Sequence, residues 1–390
     1  MFKKGTYVFN KEPNFNFQLN RVVMWENGDP EEIKKVCDKI VDSDSWVKTL
    51  QELADNAEKS GNIDAQIGYL RMSEFFMYDT NPKKIETYKK AKELFYSHNA
   101  DKIKEHDIQI IKVPYGNGYL PVMTCRATGN CKGKLLIHGG NDSYMEEFFE
   151  PLLYLQEKGY DVYLFEGPGQ GGVLREQNMI FDSAWENPVK AILDYLKLND
   201  ITIIGTSLGG YLAPRAAAFD KRITKVICWS IFPDFFDVVM ADQPKFVKGM
   251  MDMVFKLKIE RIFNGLYRSL MKKDELLKWG ILHGMYAYGA TTPMGYARKL
   301  REFTLRGIAD KITQDVLVIG GKEDHFIMPK LFHEEYDLLN NTRSLTLNLY
   351  TNQDDAGSHC NVGNMQLTMD TMLSWIELMN SKNSQTKKNQ

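Results

Sequence analysis

The sequence predicts an α/β fold in which a mostly parallel sheet is flanked by helices. From about residue 106 onward, short apolar runs alternate with helical stretches, at 134–138, 161–165, 201–205, 225–229, 315–319 and 345–350. Such runs are typical of strands buried on both faces, and helices between them favour parallel neighbours. Two further regions, 1–105 and 237–312, are helical in pattern throughout, and one precedes the alternation while the other interrupts it.

The composition is that of an ordinary globular protein and excludes several classes. Of the 390 residues, 43% are hydrophobic, and 49 Lys and Arg against 51 Asp and Glu give a net charge of −2. This balance does not favour binding to nucleic-acid phosphates. The five cysteines form no C-x-x-C pair, and no long apolar run is free of charge, so we expect neither a disulfide scaffold nor a membrane span. The amino terminus turns polar at once, unlike a secretory signal, and a cytoplasmic protein is expected.

Residues 1–105 are predicted to form an N-terminal helical domain. Apolar residues spaced by three and four predict a helix over 30–40. Further helices are expected after Asp42 or Ser43, after Asn62, and at Pro82, because these residue types favour the first turn of a helix. No catalytic pattern lies in this region, so we expect it to serve packing.

Residues 106–236 and 313–380 are assigned to the domain that contains the sheet. Its first two strands flank the turn at Tyr115–Gly118, and helices are expected near 144–158, 186–198, 208–219 and 363–379. Residues 237–312, rich in Met and aromatic residues, are expected to form a helical lid insertion over the carboxyl edge of the sheet. The polar residues 381–390 are expected to be a disordered tail.

The sharpest chemical signal is a G-x-S-x-G pentapeptide centred on Ser207, where the apolar run 201–205 meets the helical stretch 208–219. A sharp strand-to-helix turn lifts such a serine hydroxyl clear of the sheet. Side chains at Gly205 and Gly209 would collide with the turned backbone. Ser207 is therefore the candidate nucleophile, and a tight turn without chemistry is the alternative.

A serine nucleophile needs backbone donors for the oxyanion that it generates. The run His138-Gly139-Gly140-Asn141 follows the strand at 134–138, the position from which one such donor is expected. We favour the amide of Gly140, with Asn141 next, and expect the second donor at Leu208. His138 is expected to brace this loop.

The acid and the base should follow the serine along the chain. Asp324 comes just after the strand at 315–319 and is favoured over Glu323. His359 lies on the loop after the strand at 345–350 and is favoured as the base over His325 and His333, which lie at or just past the turn that carries the acid. Asp324 would hold the imidazole tautomer and stabilise the imidazolium.

These motifs together resemble the α/β-hydrolase superfamily over about residues 106–380. The runs Glu166–Gly171, Trp185-Glu186 and His359–Asn364 are similar to one subgroup, which comprises FrsA-like hydrolases, fungal polyketide-shortening hydrolases and a pseudooxynicotine C–C hydrolase. Acylaminoacyl-peptidases, a branch of the prolyl oligopeptidases (S9 peptidases), share the catalytic domain. The C–C hydrolase has an acid where this chain has Asn141, so the resemblance implies ester or amide cleavage.

The residues and the resemblance together predict a serine hydrolase that cleaves an ester, amide or related acyl bond through an acyl-enzyme, without metal or organic cofactor. The alternatives are an acylaminoacyl-peptidase-like exopeptidase and a non-catalytic ligand receptor on the same fold. A small-molecule or short-peptide substrate is expected, with no nucleic-acid or membrane partner, and a homodimer is left open. Within the lid, His283 and Trp279 are candidate substrate-binding residues. The N-terminal helices and the lid are expected to roof the pocket together.

Overall fold

An eight-stranded sheet forms the centre of the computed structural model, which describes residues 2–388. The strand order is β1-β2-β4-β3-β5-β6-β7-β8. The strands β1 and β2 form an antiparallel hairpin, β2 is antiparallel to β4, and every further neighbouring pair is parallel. The mostly parallel sheet is therefore confirmed. The strands are β1 (Gln109–Tyr115), β2 (Gly118–Cys125), β3 (Lys134–His138), β4 (Asp161–Phe165), β5 (Ile201–Thr206), β6 (Ile223–Trp229), β7 (Asp315–Gly321) and β8 (Ser344–Tyr350).

Helices precede the sheet, flank it and interrupt it. Before β1 lie α1 (Pro13–Met24), α2 (Pro30–Lys34), α3 (Ser43–Ser60), α4 (Ile63–Phe75), α5 (Pro82–His98) and α6 (Ala100–Glu105). Between β3 and β6 lie α7 (Phe149–Glu157), α8 (Gly171–Gln177), α9 (Glu186–Tyr195) and α10 (Gly209–Phe219). Between β6 and β7 lie α11 (Phe235–Met240), α12 (Lys245–Leu257), α13 (Glu260–Leu270), α14 (Glu275–Ala287) and α15 (Pro293–Leu300). The last two helices are α16 (Leu331–Leu338) and α17 (Met365–Lys388).

The N-terminal helices begin largely where their capping residues predict. The Asp42 carboxylate caps α3 by accepting the amide of Ser45 at 2.7 Å, Asn62 caps α4, and Pro82 opens α5. The single helix expected over 30–40 is wrong in extent, because α2 ends at Lys34 and only a separate 3₁₀ turn follows, at Cys37–Lys39. Ile33, Cys37 and Ile40 are buried all the same, so the apolar spacing reflects packing and not one continuous helix.

Helix α1 was absent from the expectations. Its first turn is capped by Glu12, which accepts the amide of Phe15 at 2.8 Å, and not by one of the usual short capping residues. The side chains of Asn16 and Asn20 bond the backbone of residues 7–10, so polar residues interrupt the apolar pattern. Pro13 in the first turn and the buried spacing of Phe15, Leu19 and Val22 are the signals that could have found it.

Apolar clusters lie on the two sides of the sheet, and a third forms the interior of the N-terminal helices. The lid insertion joins the third cluster through Trp279 of α14. The Trp279 ring stacks on Phe75 at 5.2 Å between centroids and meets Phe76 edge-on at 4.8 Å. The N-terminal helices and the insertion are therefore packed against each other.

The final helix α17 continues to Lys388, which differs from the disorder expected for residues 381–390. Its earlier turns are held by buried Met369, Met372 and Ile376, and polar residues can extend a helix that packing has already nucleated. Residues 389–390 lie outside the described residues. Among residues 2–388, no helix is both long and apolar enough to cross a membrane.

Candidate active site

The turn between β5 and α10 presents Ser207 with φ at +59°, a left-handed conformation that is uncommon for a non-glycine residue. Its amide is fixed by a 3.0 Å hydrogen bond to the carbonyl of Trp229. A Cβ on Gly205 would lie 2.2 Å from the carbonyl oxygen of Gly209, so glycine is required there. At Gly209 the nearest contact would be only 3.3 Å, so the expected collision is mild at this position. The turn therefore holds the serine in a strained and well-defined position.

A hydrogen-bonded line joins Ser207, His359 and Asp324, which follow β5, β8 and β7 respectively. The Nε2 atom of His359 lies 2.9 Å from the Ser207 Oγ, and its Nδ1 lies 2.7 Å from Asp324 Oδ2. The other oxygen of Asp324 accepts the amides of Phe326 and Ile327 at 2.8 and 2.9 Å. The structure thus brings together the three residues predicted as nucleophile, base and acid.

His359, within this line, and His325, beside it, have opposite electrostatic surroundings. Burial acts to lower the pKa of His359, but the facing Asp324 carboxylate outweighs it and the pKa lies well above its ordinary value. Burial, together with repulsion from His359, lowers the pKa of His325 to about 4. The His325 ring packs beside Phe17 and Phe326, and its Nε2 has no partner among the described residues. His325 is therefore a neutral ring in the wall of the site.

The loop after β3 approaches the serine closely. A Cβ on Gly140 would lie 2.7 Å from the Ser207 Cβ and 2.8 Å from the Leu208 amide nitrogen. The amide of Gly140, however, donates to the Ser143 Oγ at 2.9 Å and is already engaged. Within residues 2–388, the amides of Leu208 and Asn141 have no protein acceptor, so Asn141 and not Gly140 is the free donor beside Leu208. This local contact with Ser143 favours Asn141 over Gly140 as the donor beside Leu208, and the choice between the two stays a prediction.

The serine opens into a cavity of about 400 Å³. Helix α1 contributes Phe17, Gln18 and Arg21 to its wall, and Trp25 follows directly after the helix. The rings of Phe17 and His359 lie 5.9 Å apart between centroids. The wall is apolar over most of its extent, with a polar end beside the loop after β3. The remaining lining residues are Phe75, Asn141, Asp142, Ser143, Thr206, Ser207, Leu208, Phe232, Phe235, Val238, Val239, Asp242, His325, Phe326, Ile327, His359, Cys360 and Val362.

The lid insertion contributes less to this wall than expected. Its lining residues are Val238 and Val239 on α11 and Asp242 just beyond that helix, whereas α12 and α13 contribute none. The candidate substrate-binding residues His283 and Trp279 do not line the cavity either. The side chains of Trp279 and His283, both on α14, are buried behind the residues that form the cavity wall. Trp279 packs into the core of the N-terminal helices.

His283 connects three regions of the chain through two carboxylates. Its Nδ1 lies 3.0 Å from Asp79 of the N-terminal region, and its Nε2 lies 2.7 Å from Asp142 in the loop after β3. Burial opposes ionisation of all three groups, but their mutual attraction prevails. It raises the pKa of His283 and lowers those of Asp79 and Asp142 to about 2. His283 therefore holds the carboxylate of Asp142, which lines the cavity, although His283 itself does not line it.

A buried ionic cluster joins α1 to the same loop. The carboxylate of Glu147 accepts from Arg21 on α1 and from Arg71 on α4, the latter at 2.9 Å, and its side chain is 1% exposed. Arg21 also donates to the carbonyl of Asp142 at 3.3 Å. The position of the loop that carries Asn141 thus depends on the N-terminal helices. In the described part of the chain, no three His, Cys, Asp or Glu side chains are grouped as a metal site.

The fold and this site define the class of protein. Residues 135–348, more than half of the chain, match the α/β-hydrolase fold family, and the chain belongs to that family. Among its relatives, hydrolase acrC of Aspergillus aculeatus is 28% identical over 73% of this chain and 75% of its own length. The α/β hydrolase psoB of Aspergillus fumigatus is 30% identical over 76% and 75%. The 20-hydroxy-prefusarin hydrolase FUS2 of Gibberella moniliformis is 26% identical over 93% and 96%. The chain is thus a hydrolase, similar to fungal hydrolases.

Two solved structures share the fold over nearly the whole chain, including the N-terminal helices. The 2,6-dihydroxy-pseudo-oxynicotine hydrolase superposes with a TM-score of 0.64 at 18% identity, covering 92% of this chain and 94% of its own. AbyA5 superposes with a TM-score of 0.67 at 15% identity, covering 94% and 95%. The predicted resemblance to the superfamily, with fungal and pseudooxynicotine hydrolases among its members, is confirmed. The relation to acylaminoacyl-peptidases stays a prediction.

Proposed function

We propose that the protein is a serine hydrolase that cleaves an ester, amide or related acyl bond through a covalent acyl-enzyme. The observation that carries this proposal is the line from Ser207 through His359 to Asp324, which opens directly into a cavity. A serine with a hydrogen-bonded histidine, itself oriented by a carboxylate, is the arrangement that nucleophilic acyl transfer requires.

In the first half-reaction, the Ser207 Oγ attacks the substrate carbonyl carbon while His359 Nε2 accepts the hydroxyl proton. The adjacent carboxylate of Asp324 stabilises the imidazolium, in agreement with the raised pKa of His359. The free amides of Leu208 and Asn141 donate to the oxygen that becomes negative. His359 then returns the proton to the leaving alcohol or amine, and the acyl group stays on Ser207.

In the second half-reaction, water replaces the leaving group. His359 accepts a proton from the water as its oxygen attacks the acyl carbon, and the same two amides bind the new oxyanion. Collapse expels the Ser207 oxygen, which takes the proton back from His359. The products are a carboxylic acid and the free enzyme.

The cavity supports a substrate of small or medium size with a largely apolar acyl portion. A volume of about 400 Å³ is within the range of small-molecule sites, and helix α1 limits the access of a folded protein. The polar end, with Gln18 and Asp142, would face a hydrogen-bonding group of the substrate. Asp142 stays ionised there because His283 lowers its pKa.

The test combines covalent labelling with a substrate panel. A fluorophosphonate probe should label the native chain but not Ser207→Ala, and the variant should lose several orders of magnitude in the hydrolysis of p-nitrophenyl esters. Ser97→Ala is the matched control, because this exposed serine on α5 is not among the residues that line the cavity, and it should keep the label. Labelling that persists in Ser207→Ala would contradict the proposal, and a native chain without label would favour the receptor alternative. Strong preference for acylated amino-acid anilides would favour the exopeptidase.

A further inference from the structure

The outer side of α12 is apolar and exposed. Phe246, Met250, Met253 and Leu257 recur at spacings of four, three and four residues, so they form one stripe along the helix. Their exposures are 73%, 37%, 52% and 57%. The inner side of the same helix is packed against the rest of the chain, because Met251 and Val254 are buried against residues of α11. The stripe therefore stays largely exposed to solvent in the described part of the chain.

The next helix repeats this arrangement. On α13, Ile262, Leu266 and Leu270 follow one another at spacings of four, with exposures of 72%, 50% and 41%. Phe263 and Tyr267 lie on the other side of the helix and pack against the cluster that holds α12. We call the seven exposed residues of the two stripes the insertion face. Contiguous exposed apolar residues of this kind mark an interaction surface.

The charge around the insertion face is strongly positive. Residues 245–273 contain eight Lys and Arg against two acidic residues, a net charge of +6 in a chain whose total is −2. Both acidic residues are paired, Asp252 with Arg301 and Glu260 with Arg298. The basic residues Lys245, Lys256 and Arg261 are exposed, and each directly precedes a residue of the stripes in the sequence. An apolar face bordered by basic side chains is typical of a helix that lies in the interface of an anionic membrane.

We propose that α12 and α13 dock the protein on the surface of an anionic lipid bilayer. The insertion face would enter the boundary between headgroups and acyl chains, while the basic side chains contact the headgroups. A second copy of the chain is the less favourable occupant, because a symmetric pair would oppose two segments that each carry a net charge of +6. This proposal replaces the expectation of no membrane partner and concerns only surface association.

The insertion face begins only a few residues after the part of the sequence that lines the cavity. Val239 on α11 lines the cavity and is 52% exposed, and Asp242, which also lines it, precedes α12 by only three residues. Docking would therefore bring the cavity wall close to the bilayer, where amphiphilic molecules concentrate. The docking does not depend on the proposed chemistry, and it is measured as binding.

The experiment measures co-sedimentation of the full chain, carrying Ser207→Ala to exclude turnover, with two kinds of vesicle. One contains phosphatidylcholine with about 30 mol% phosphatidylserine, and the other contains phosphatidylcholine alone. We expect binding to the anionic vesicles that weakens as salt is raised, and at least about tenfold weaker binding to the neutral ones. Absence of binding to the anionic vesicles, or equal binding to both, would overturn the proposal.

Variants separate the two parts of the surface. Phe246→Asp with Ile262→Asp should abolish binding, whereas Leu378→Asp, at a residue on α17 that is 49% exposed, should leave it unchanged. Lys256→Gln with Arg261→Gln should weaken binding to the anionic vesicles about 30-fold. Unchanged far-ultraviolet circular dichroism and urea midpoints will show that each variant is folded. A dimer in light scattering that Phe246→Asp converts to a monomer, with no vesicle binding by the native surface, would identify a second copy as the occupant and refute the proposal.

Discussion

Replacing Glu147 by glutamine is expected to destabilise the whole protein, because this one carboxylate forms ion pairs with two buried guanidinium groups. The side chains of Arg21 and Arg71 are 10% and 8% exposed, and that of Glu147 is 1% exposed. A glutamine keeps the shape and one acceptor oxygen but removes the charge. Breaking a buried ion pair from one side typically costs about 3–5 kcal/mol, since the other partner stays buried and unpaired.

The structure indicates that the loss of stability in Glu147→Gln lies at the lower end of that range. Glu26 lies 3.6 Å from the Arg71 Nε and could balance part of the arginine charge when Glu147 is replaced. Burial raises its pKa to about 7, attraction to Arg71 opposes this, and the charge of Glu147 adds to the rise. Without that charge, Glu26 ionises more readily and pairs with Arg71, while Arg21 keeps no equivalent partner. We therefore expect a loss of about 3 kcal/mol in the free energy of unfolding.

Urea unfolding at neutral pH is the assay. With a slope of about 3 kcal/mol/M, the midpoint should fall by about 1 M. Glu150→Gln is the matched control, because Glu150 pairs with Lys102 on the surface, where the two side chains are 53% and 51% exposed. Its loss should be below about 1 kcal/mol. Equal midpoints for the native protein and Glu147→Gln would refute the claim that the buried cluster holds α1 on the catalytic domain.

Three further predictions concern the site. Asp324→Asn should lower kcat for p-nitrophenyl esters by about 10⁴, because asparagine favours the wrong tautomer of His359. Glu323→Gln and Asp355→Asn should have little effect on kcat, and an equal loss at Asp355 would contradict the assignment of the acid. Because Asp324 raises the pKa of His359, and only the neutral imidazole accepts a proton, kcat/KM should rise with pH through a midpoint above 6.5. A midpoint at or below that value in a pH–rate profile would contradict the role of His359. Gly205→Ala should cost about 1–3 kcal/mol or more in urea unfolding, since its Cβ would lie 2.2 Å from a carbonyl oxygen, whereas Gly280→Ala meets nothing within 4 Å and should be neutral or stabilising. Similar midpoints for these two variants would show that the turn is not tightly packed.

The sequence by itself determined the sheet and the order of the chemical groups along the chain. Each predicted apolar run is a strand, and Tyr115–Gly118 is the turn of the first hairpin. The inner strands β4, β5 and β7 are buried throughout, which requires nearly every residue to be apolar and makes the signal local, whereas β8 at the edge of the sheet is mostly half-buried. The loops with Ser207, Asp324 and His359 all follow strands of one parallel set, and the carboxyl ends of these strands share an edge of the sheet.

The tertiary structure alone decided how the wall of the site is built. Arg21 and Glu147 are 126 residues apart, and His283 lies 204 residues from Asp79 and 141 from Asp142, so no local pattern could indicate these pairs. Helix α1 joins the cavity because packing brings Phe17 against His359, although its polar residues hide its helical period. Side-chain pairing between distant segments depends on how the helices dock, and only the packed structure contains that information.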